Sequence, residues 1–420
     1  MKKTLILSLL ACTLWLGCDK QDQTSQAPDT HYLVDELYTW DFTVQDGITA
    51  LLDEVGVDPN SETVVKIMDL LKNTVSHRLR AVAISYRTVD PDGNDVVSAG
   101  AFIYPLDSKY KGVVEVPPIA NMDYFHAPSL FVRDHKLYEE ATPSILGYIT
   151  INPDLIGGNL TGTTHLRPFL HIDNTGIVSY HMRCAVSEYL YQKEGYTLPK
   201  ETSVMGYSLG GSSALAIAKY YQENAPEIKV TQVFTGGGVY DPITAFRDYA
   251  VWGECIYPAI PALIYSMDTY YRLGLDYNQI FTGGLQNSVN SPNPEEGGDG
   301  YAYWYDNTHT SMRIADRWGA NLHTYLHPDF FNTQMVGEFA KLIPCLEENS
   351  IVYRYVPDPN IQIKLMHANE DNLIPKSCSD LLYSVYKHKG ADISYMDMNG
   401  DHYDGGANFM VTIMLYLLLK

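Results

Sequence analysis

The segment "ETSVMGYSLGGSSALAIAKYY", residues 201–221, limits the folds open to this chain more than any other. A short β-branched and apolar run meets Gly206-Tyr207-Ser208-Leu209-Gly210, and helix formers follow at once. A strand and a helix joined through so short a turn come close enough that a Cβ two positions to either side of the serine would clash. Glycine stands at both places, and Gly211 adds room. The spacing therefore predicts a strand–turn–helix elbow, a unit of a parallel sheet covered by helices. Ser208 falls at its tip, a nucleophile's position, and the Leu209 N–H lies at the positive end of the helix, a natural oxyanion donor. An ordinary Gly-rich turn is the competing reading, since Gly-x-Ser-x-Gly also recurs by chance.

The rest of the chain carries the same rhythm. "AVAISYRTV" and "VVSAGAFIYP" flank Asp-Pro-Asp-Gly, which is hairpin chemistry. The turn carboxylates could hold calcium, although solvated turn carboxylates are far commoner. Then come "KGVVEVPPIA", "LGYITINPD", a helix-like stretch around 173–194, the elbow, "IKVTQVFTGG", and much later "IQIKLMH" and "ADISYMDM". The expected fold class is α/β, a mostly parallel central sheet flanked by helices, with its core in 78–240 and 358–420. Between them, 241–357 loses the βα rhythm and is rich in Tyr, Trp, Pro and Gly. It reads as a helical cap inserted after the sixth strand. Residues 31–77, with "ITALLDEVG" and "TVVKIMDLLKNTV", read as an N-terminal helical segment. The final "ANFMVTIMLYLLLK" is too short for a membrane span and reads as a packed helix.

Residues 1–18, "MKKTLILSLLACTLWLGC", have a basic start and an apolar run that ends at Leu16-Gly17-Cys18, which resembles a bacterial lipobox with Cys18 as the lipidated residue. Trp15 is unusual at the outer lipobox position. Residues 19–30 are polar and read as a tether. The expectation is an exported protein anchored to a bacterial membrane. A formal charge of −21 argues against nucleic acid, which needs clustered Lys and Arg. Cys184, Cys255, Cys345 and Cys378 would then sit in an oxidising compartment, with three pairings open. No CxxC or Cys/His cluster suggests a metal, and no cofactor is expected.

A serine needs a base and an orienting acid, and on such a sheet these follow in the order acid, then His. Asp371 lies just past the strand "IQIKLMH", with Glu370 its close competitor. His402 follows "ADISYMDM" in "NGDHYDGG", read as a Gly-rich loop before the last helix. A helix cap for Asp371 and a surface loop for His402 are the plainer alternatives.

From about Arg80 to the C-terminus the chain resembles an α/β-hydrolase of the secretory-lipase-like type found as bacterial lipoproteins. The resemblance rests on the elbow, on "HANEDNLIP" against His-Gly-x-x-Asp-x-x-Val-Pro, on the opening hairpin, on "GYITINPDLIGGN" and on "HLRPFLH". Leu155 and Arg167 depart from that pattern. The resemblance implies a serine hydrolase cleaving carboxylic esters, whose substrate is a small-molecule, lipid or glycan ester. Members usually carry His-Gly after the third strand; here "PPIANMDYF" has none, and the second oxyanion N–H is placed at Met122. Tyr207, and Trp304 in "YAYWY", are the candidate substrate contacts.

His323 and His327 have a metal-like i,i+4 spacing, but no Glu follows the first and Pro328 ends the segment. His165 and His171 read as structural, and Asp154 as a turn residue. Two other functions stay open: a serine peptidase on short peptides, since the same triad serves, and a surface binding lipoprotein whose oxyanion hole has decayed.

Overall fold

Strands β2 (Arg78–Val89) and β3 (Asp95–Pro105) pair antiparallel from Leu79↔Pro105 to Val89↔Asp95, as the hairpin chemistry predicts. The Asp90 carboxylate closes the turn, accepting from the Asn94 backbone N–H at 2.8 Å and its amide at 2.9 Å. Ala81, Ala83, Ala101 and Ile103 pack with Tyr138, Ile413 and Leu417; the alternate residues Val82, Ile84, Phe102 and Tyr104 pack with Val178, Met182 and Val186. With both faces buried, the strands read as continuous apolar runs rather than alternating ones.

The computed structural model describes residues 31–54, 78–107, 109–119, 124, 126–256, 259–291 and 317–419. The other strands are β1 (Leu33–Thr43), β4 (Val113–Glu115), β5 (Ile149–Pro153), β6 (Glu201–Tyr207), β7 (Lys229–Gly236), β8 (Gln362–Ala368) and β9 (Ile393–Met398). They form one sheet in the order β1-β2-β3-β5-β4-β6-β7-β8-β9, antiparallel from β1 to β5 and parallel from there on. The main helices are α1 (Val44–Glu54), α2 (Ile172–Glu194), α3 (Leu209–Asn224), α4 (Pro242–Trp252), α5 (Ala259–Tyr271), α6 (Lys376–His388) and α7 (His402–Leu418). Because β4 and β6 are parallel neighbours, the loop after β4 and the elbow after β6 open at the same sheet edge, where active sites of open α/β sheets gather.

One expectation changes. The segment expected to be helical begins with a strand, β1, followed by the helix α1; the rest of it, 55–77, lies outside the described residues. β1 is a half-exposed edge strand with interspersed charges, so it shows no clean apolar alternation. Its hold is polar: the Glu188 carboxylate accepts the N–H groups of His31, Tyr32 and Leu33, and Arg80 grips Asp41 through two bonds of 2.6 and 2.8 Å. The mainly helical insertion lies between β7 and β8, after the strand in "IKVTQVFTGG" as expected; counting β1 makes that strand the seventh of the sheet.

Cys184, Cys255, Cys345 and Cys378 carry thiols, and none of the three pairings forms. Burial pushes the Cys184 and Cys345 thiols up to about 12, which leaves them protonated and inert. Among the described residues no helix is long and apolar enough to cross a membrane; the C-terminal run is the packed helix α7.

Candidate active site

The elbow forms where its spacing places it. Ser208 stands between β6 and α3 with φ 56° and ψ −127°, a left-handed conformation rarely held by a residue with a side chain. The structure over-determines it. The Ser208 N–H donates to Gly236 O at 2.9 Å, and a Cβ on Gly206 would lie 2.0 Å from Gly210 O. A Cβ on Gly211 would lie 2.7 Å from Gly236 O. Any side chain at 206 or 211 would thus push the helix off the sheet and drop the serine from its tip.

Ser208 Oγ lies 3.0 Å from His402 Nε2, and His402 Nδ1 lies 2.7 Å from Asp371 Oδ2. An ionised carboxylate only accepts, so Nδ1 carries the proton and Nε2 is left bare toward the serine hydroxyl. Ser208 and His402 are buried, and the Asp371 carboxylate is fully shielded. Asp371 Oδ1 also accepts the N–H groups of Leu373 at 3.0 Å and Ile374 at 2.8 Å, so the same side chain orients the imidazole and caps its own turn. Glu370, the rival acid, is exposed.

His402 is not in a loop: it is the first residue of α7, capped by the Asp401 carboxylate through the Tyr403 and Asp404 N–H groups. The glycines that suggested a loop serve Tyr207 instead, since a Cβ on Gly405 would lie 2.4 Å from its hydroxyl oxygen. Tyr207, expected to bind substrate, lines the cavity and also donates from its hydroxyl to His402 O at 2.8 Å. This buttress is one that local sequence does not announce.

The Leu209 N–H opens α3, where no intrahelical acceptor exists. Met122, the expected second donor, lies outside the described residues, as do Trp304 and Cys18. Residues 116–119, directly after β4, leave no N–H for an oxyanion. Val116 donates to Ile151 O, Pro117 and Pro118 have none, and Ile119 donates to the Glu140 carboxylate at 3.0 Å. Gly210 N in turn donates to Ile119 O at 3.0 Å, tying this loop to the elbow. Glu140, whose carboxyl is pushed up to about 7 by desolvation, belongs to no motif and was not foreseen.

Above Ser208 and His402 opens a cavity of about 880 Å³. Its walls are almost wholly apolar: Phe246 of α4, Ile260 and Leu263 of α5, Met410 and Met414 of α7, and Ile48 of α1. Phe246, Ile260 and Leu263 thus bring the insertion into the cavity wall.

The decoys resolve locally. His323 stacks on Phe331, their ring centres 3.6 Å apart, and His327 caps the turn Pro328–Phe331, so the two do not share a helix face. His171 precedes α2 and packs against Tyr270 and Tyr271. Among the described residues no group of His, Cys, Asp and Glu is arranged to hold a metal ion.

Asp154 is buried 1 % exposed and accepts from Ser129 N at 2.9 Å and Ser129 Oγ at 2.5 Å. Desolvation outweighs these bonds and pushes its carboxyl up to about 6, from an ordinary 3.8. Below pH 3.8 the group is protonated folded or unfolded and costs nothing; above about 6 it is ionised in both states and the folded state bears the full penalty. Stability from this group is therefore lost as pH rises from about 4 to about 6, by about 3 kcal/mol. Urea unfolding of Asp154→Asn at pH 4 and pH 7 is expected to lack that part of the wild-type decline. Equal declines in the two proteins would refute it.

No family model and no curated protein sequence matches the chain. Solved structures do. A provisionally assigned hydrolase from Legionella pneumophila is similar at TM-score 0.71 and 18% identity, covering 92% of this chain and 97% of its own. The rice cell wall degrading esterase LipA from Xanthomonas oryzae is similar at TM-score 0.70 and 15% identity, over 92% and 96%. Candida antarctica lipase A in its closed state reaches TM-score 0.55 at 14% identity, over 78% and 74%. Taken with the sheet order and the elbow, these likenesses show that the chain has the α/β-hydrolase fold.

Proposed function

We propose that the protein is a serine hydrolase of carboxylic esters, exported and held at a membrane by lipid on Cys18. The observation that carries the reading is the hydrogen-bonded series Ser208–His402–Asp371 at the floor of an apolar cavity. Ser208 Oγ attacks the ester carbonyl while His402 Nε2 takes its proton, and the Leu209 N–H stabilises the developing oxyanion. The C–O bond to the alcohol breaks, and the leaving oxygen receives the proton from His402. Water, deprotonated by the same imidazole, then hydrolyses the acyl-enzyme and regenerates Ser208. Asp371 stays ionised throughout and holds Nδ1–H in place.

The cavity favours esters over peptides. A peptide needs donors and acceptors along its backbone, whereas walls mostly of Phe, Ile, Leu and Met, with Glu139 and Thr142 among the few polar groups, reward chiefly apolar burial. The esterase and lipase among the structural neighbours support the same choice.

A fluorophosphonate probe applied to cells producing the full chain is expected to label one protein of this size in the membrane fraction, and to lose the label in Ser208→Ala. Cys18→Ser is expected to keep the label but release the protein from the membrane fraction. Absence of labelling in the folded wild type would sink the mechanism; membrane retention of Cys18→Ser would sink the anchor alone. p-Nitrophenyl esters are expected to turn over and X-Pro anilides not.

A further inference from the structure

We propose that His367 is a positioning residue for this reaction, bearing on the Asp371 oxygen that holds His402 and so setting the basicity of that imidazole. This rests on the reading of Ser208, His402 and Asp371 as the reacting series.

His367 lies near the end of β8 and is fully buried. Its Nε2 is 3.2 Å from Ile374 O and 3.4 Å from Asp371 Oδ2, while its Nδ1 is 2.7 Å from Ser379 Oγ in α6. Both neighbours of Nε2 are acceptors only, so Nε2 must carry the ring proton. Nδ1 is then bare and accepts the Ser379 hydroxyl proton. Burial pushes the imidazole's basicity down, so a single ring proton is the expected state near neutrality.

The arrangement acts on Asp371 in two ways. The Nε2–H points between Ile374 O and Asp371 Oδ2, the oxygen to which His402 Nδ1–H is bonded. A second donor dipole there spreads the carboxylate's charge and weakens its pull on the His402 proton. Through Ile374 it also fixes the turn, since the N–H of the same residue donates to Asp371 Oδ1. His367 does not line the cavity, so its effect falls on the chemistry and not on substrate binding.

Loss of this donor should concentrate charge on Oδ2 and make His402 harder to deprotonate. In His367→Leu the acidic limb of kcat/KM is expected to move up by about half a pH unit, with kcat reduced and KM unchanged. His367→Gln, which keeps an N–H near the Nε2 position, is expected to bring the limb back toward wild type. His367→Phe, which fills the same space without a donor, should move the limb in the same direction; it serves as the reporter if His367→Leu does not fold. The charged and titratable groups facing the pair from neighbouring elements are Lys376, Asp397, Asp401, Tyr207 and Tyr249, and all stay in place in each variant. Fluorophosphonate labelling rate against pH, run beside ester turnover, reads the same limb. A limb unmoved in folded His367→Leu or His367→Phe, with wild type labelling normally, overturns the proposal alone. Absence of labelling in wild type overturns it together with the reading beneath it.

Discussion

Ester hydrolysis by Ser208→Ala is expected to fall about a million-fold in kcat, and His402→Ala added to it should cost almost nothing more. The two groups act as a unit: the hydroxyl is inert without a base 3.0 Å away, and the base has nothing to deprotonate without the hydroxyl. Asp371→Asn should cost about ten-thousand-fold by a different route. Its amide would present N–H where Oδ2 now accepts, forcing the His402 proton onto Nε2, where it faces Ser208 and blocks proton transfer. Glu370→Gln, at an exposed position one residue away, should leave kcat within about twofold. Single-turnover kinetics on a p-nitrophenyl ester, with melting curves to confirm folding, measure all four. Near-wild-type turnover in Ser208→Ala would remove the serine from the mechanism. A larger loss in Glu370→Gln than in Asp371→Asn would reassign the acid.

Why these three residues were legible in sequence, and others were not, follows from the range of the forces that place them. The elbow is a steric demand satisfied within five residues, from Gly206 to Gly210, so its chemistry is written locally. Asp371 lies just past β8, a buried parallel strand that its apolar run betrays, and His402 just past β9, a parallel edge strand that buries only Ile393 and Met398. The insertion was legible as a loss of rhythm between β7 and β8. Contacts across the fold are another matter. Nothing near Glu140 in sequence says that its carboxylate receives Ile119 N, and nothing near Tyr207 says that it supports His402 from 195 residues away. β1 was misread because an edge strand buries too little to impose alternation, and its anchor, Glu188, lies in α2. The glycines after His402 suggested a loop because glycine disfavours helices; here the room they leave for Tyr207 outweighs that cost.

Replacing Arg183 by methionine is expected to destabilise the fold by about 3–5 kcal/mol, although the residue is remote from the reacting groups in sequence and touches none of them. Its guanidinium lies 2.6 Å from Glu115, at 4 % and 2 % side-chain exposure, under the centre of the sheet. Tyr221 donates to the other Glu115 oxygen at 2.5 Å, Thr202 to the first at 3.0 Å, and Arg183 also reaches Pro199 O. Removing the cation leaves a carboxylate with no solvent and only hydroxyl donors, and that uncompensated charge is what costs. Glu115→Leu alone should cost a similar amount for the mirror reason, leaving a buried guanidinium unpaired. The double variant Glu115→Leu/Arg183→Met should recover most of the loss, because an apolar pair of like volume there suffers no desolvation. Urea titrations of the four proteins close the cycle. A loss below about 1 kcal/mol in the Arg183 single variant would mean that water reaches Glu115 and the pair is not sealed. Glu115 ends β4, two residues before Pro117, so the loop that carries Ile119 toward Gly210 leaves the sheet from this network. The single variants should therefore lose activity below their melting temperatures, where the double variant does not, and that comparison separates a buried charge that merely stabilises from one that also holds the loop beside the serine.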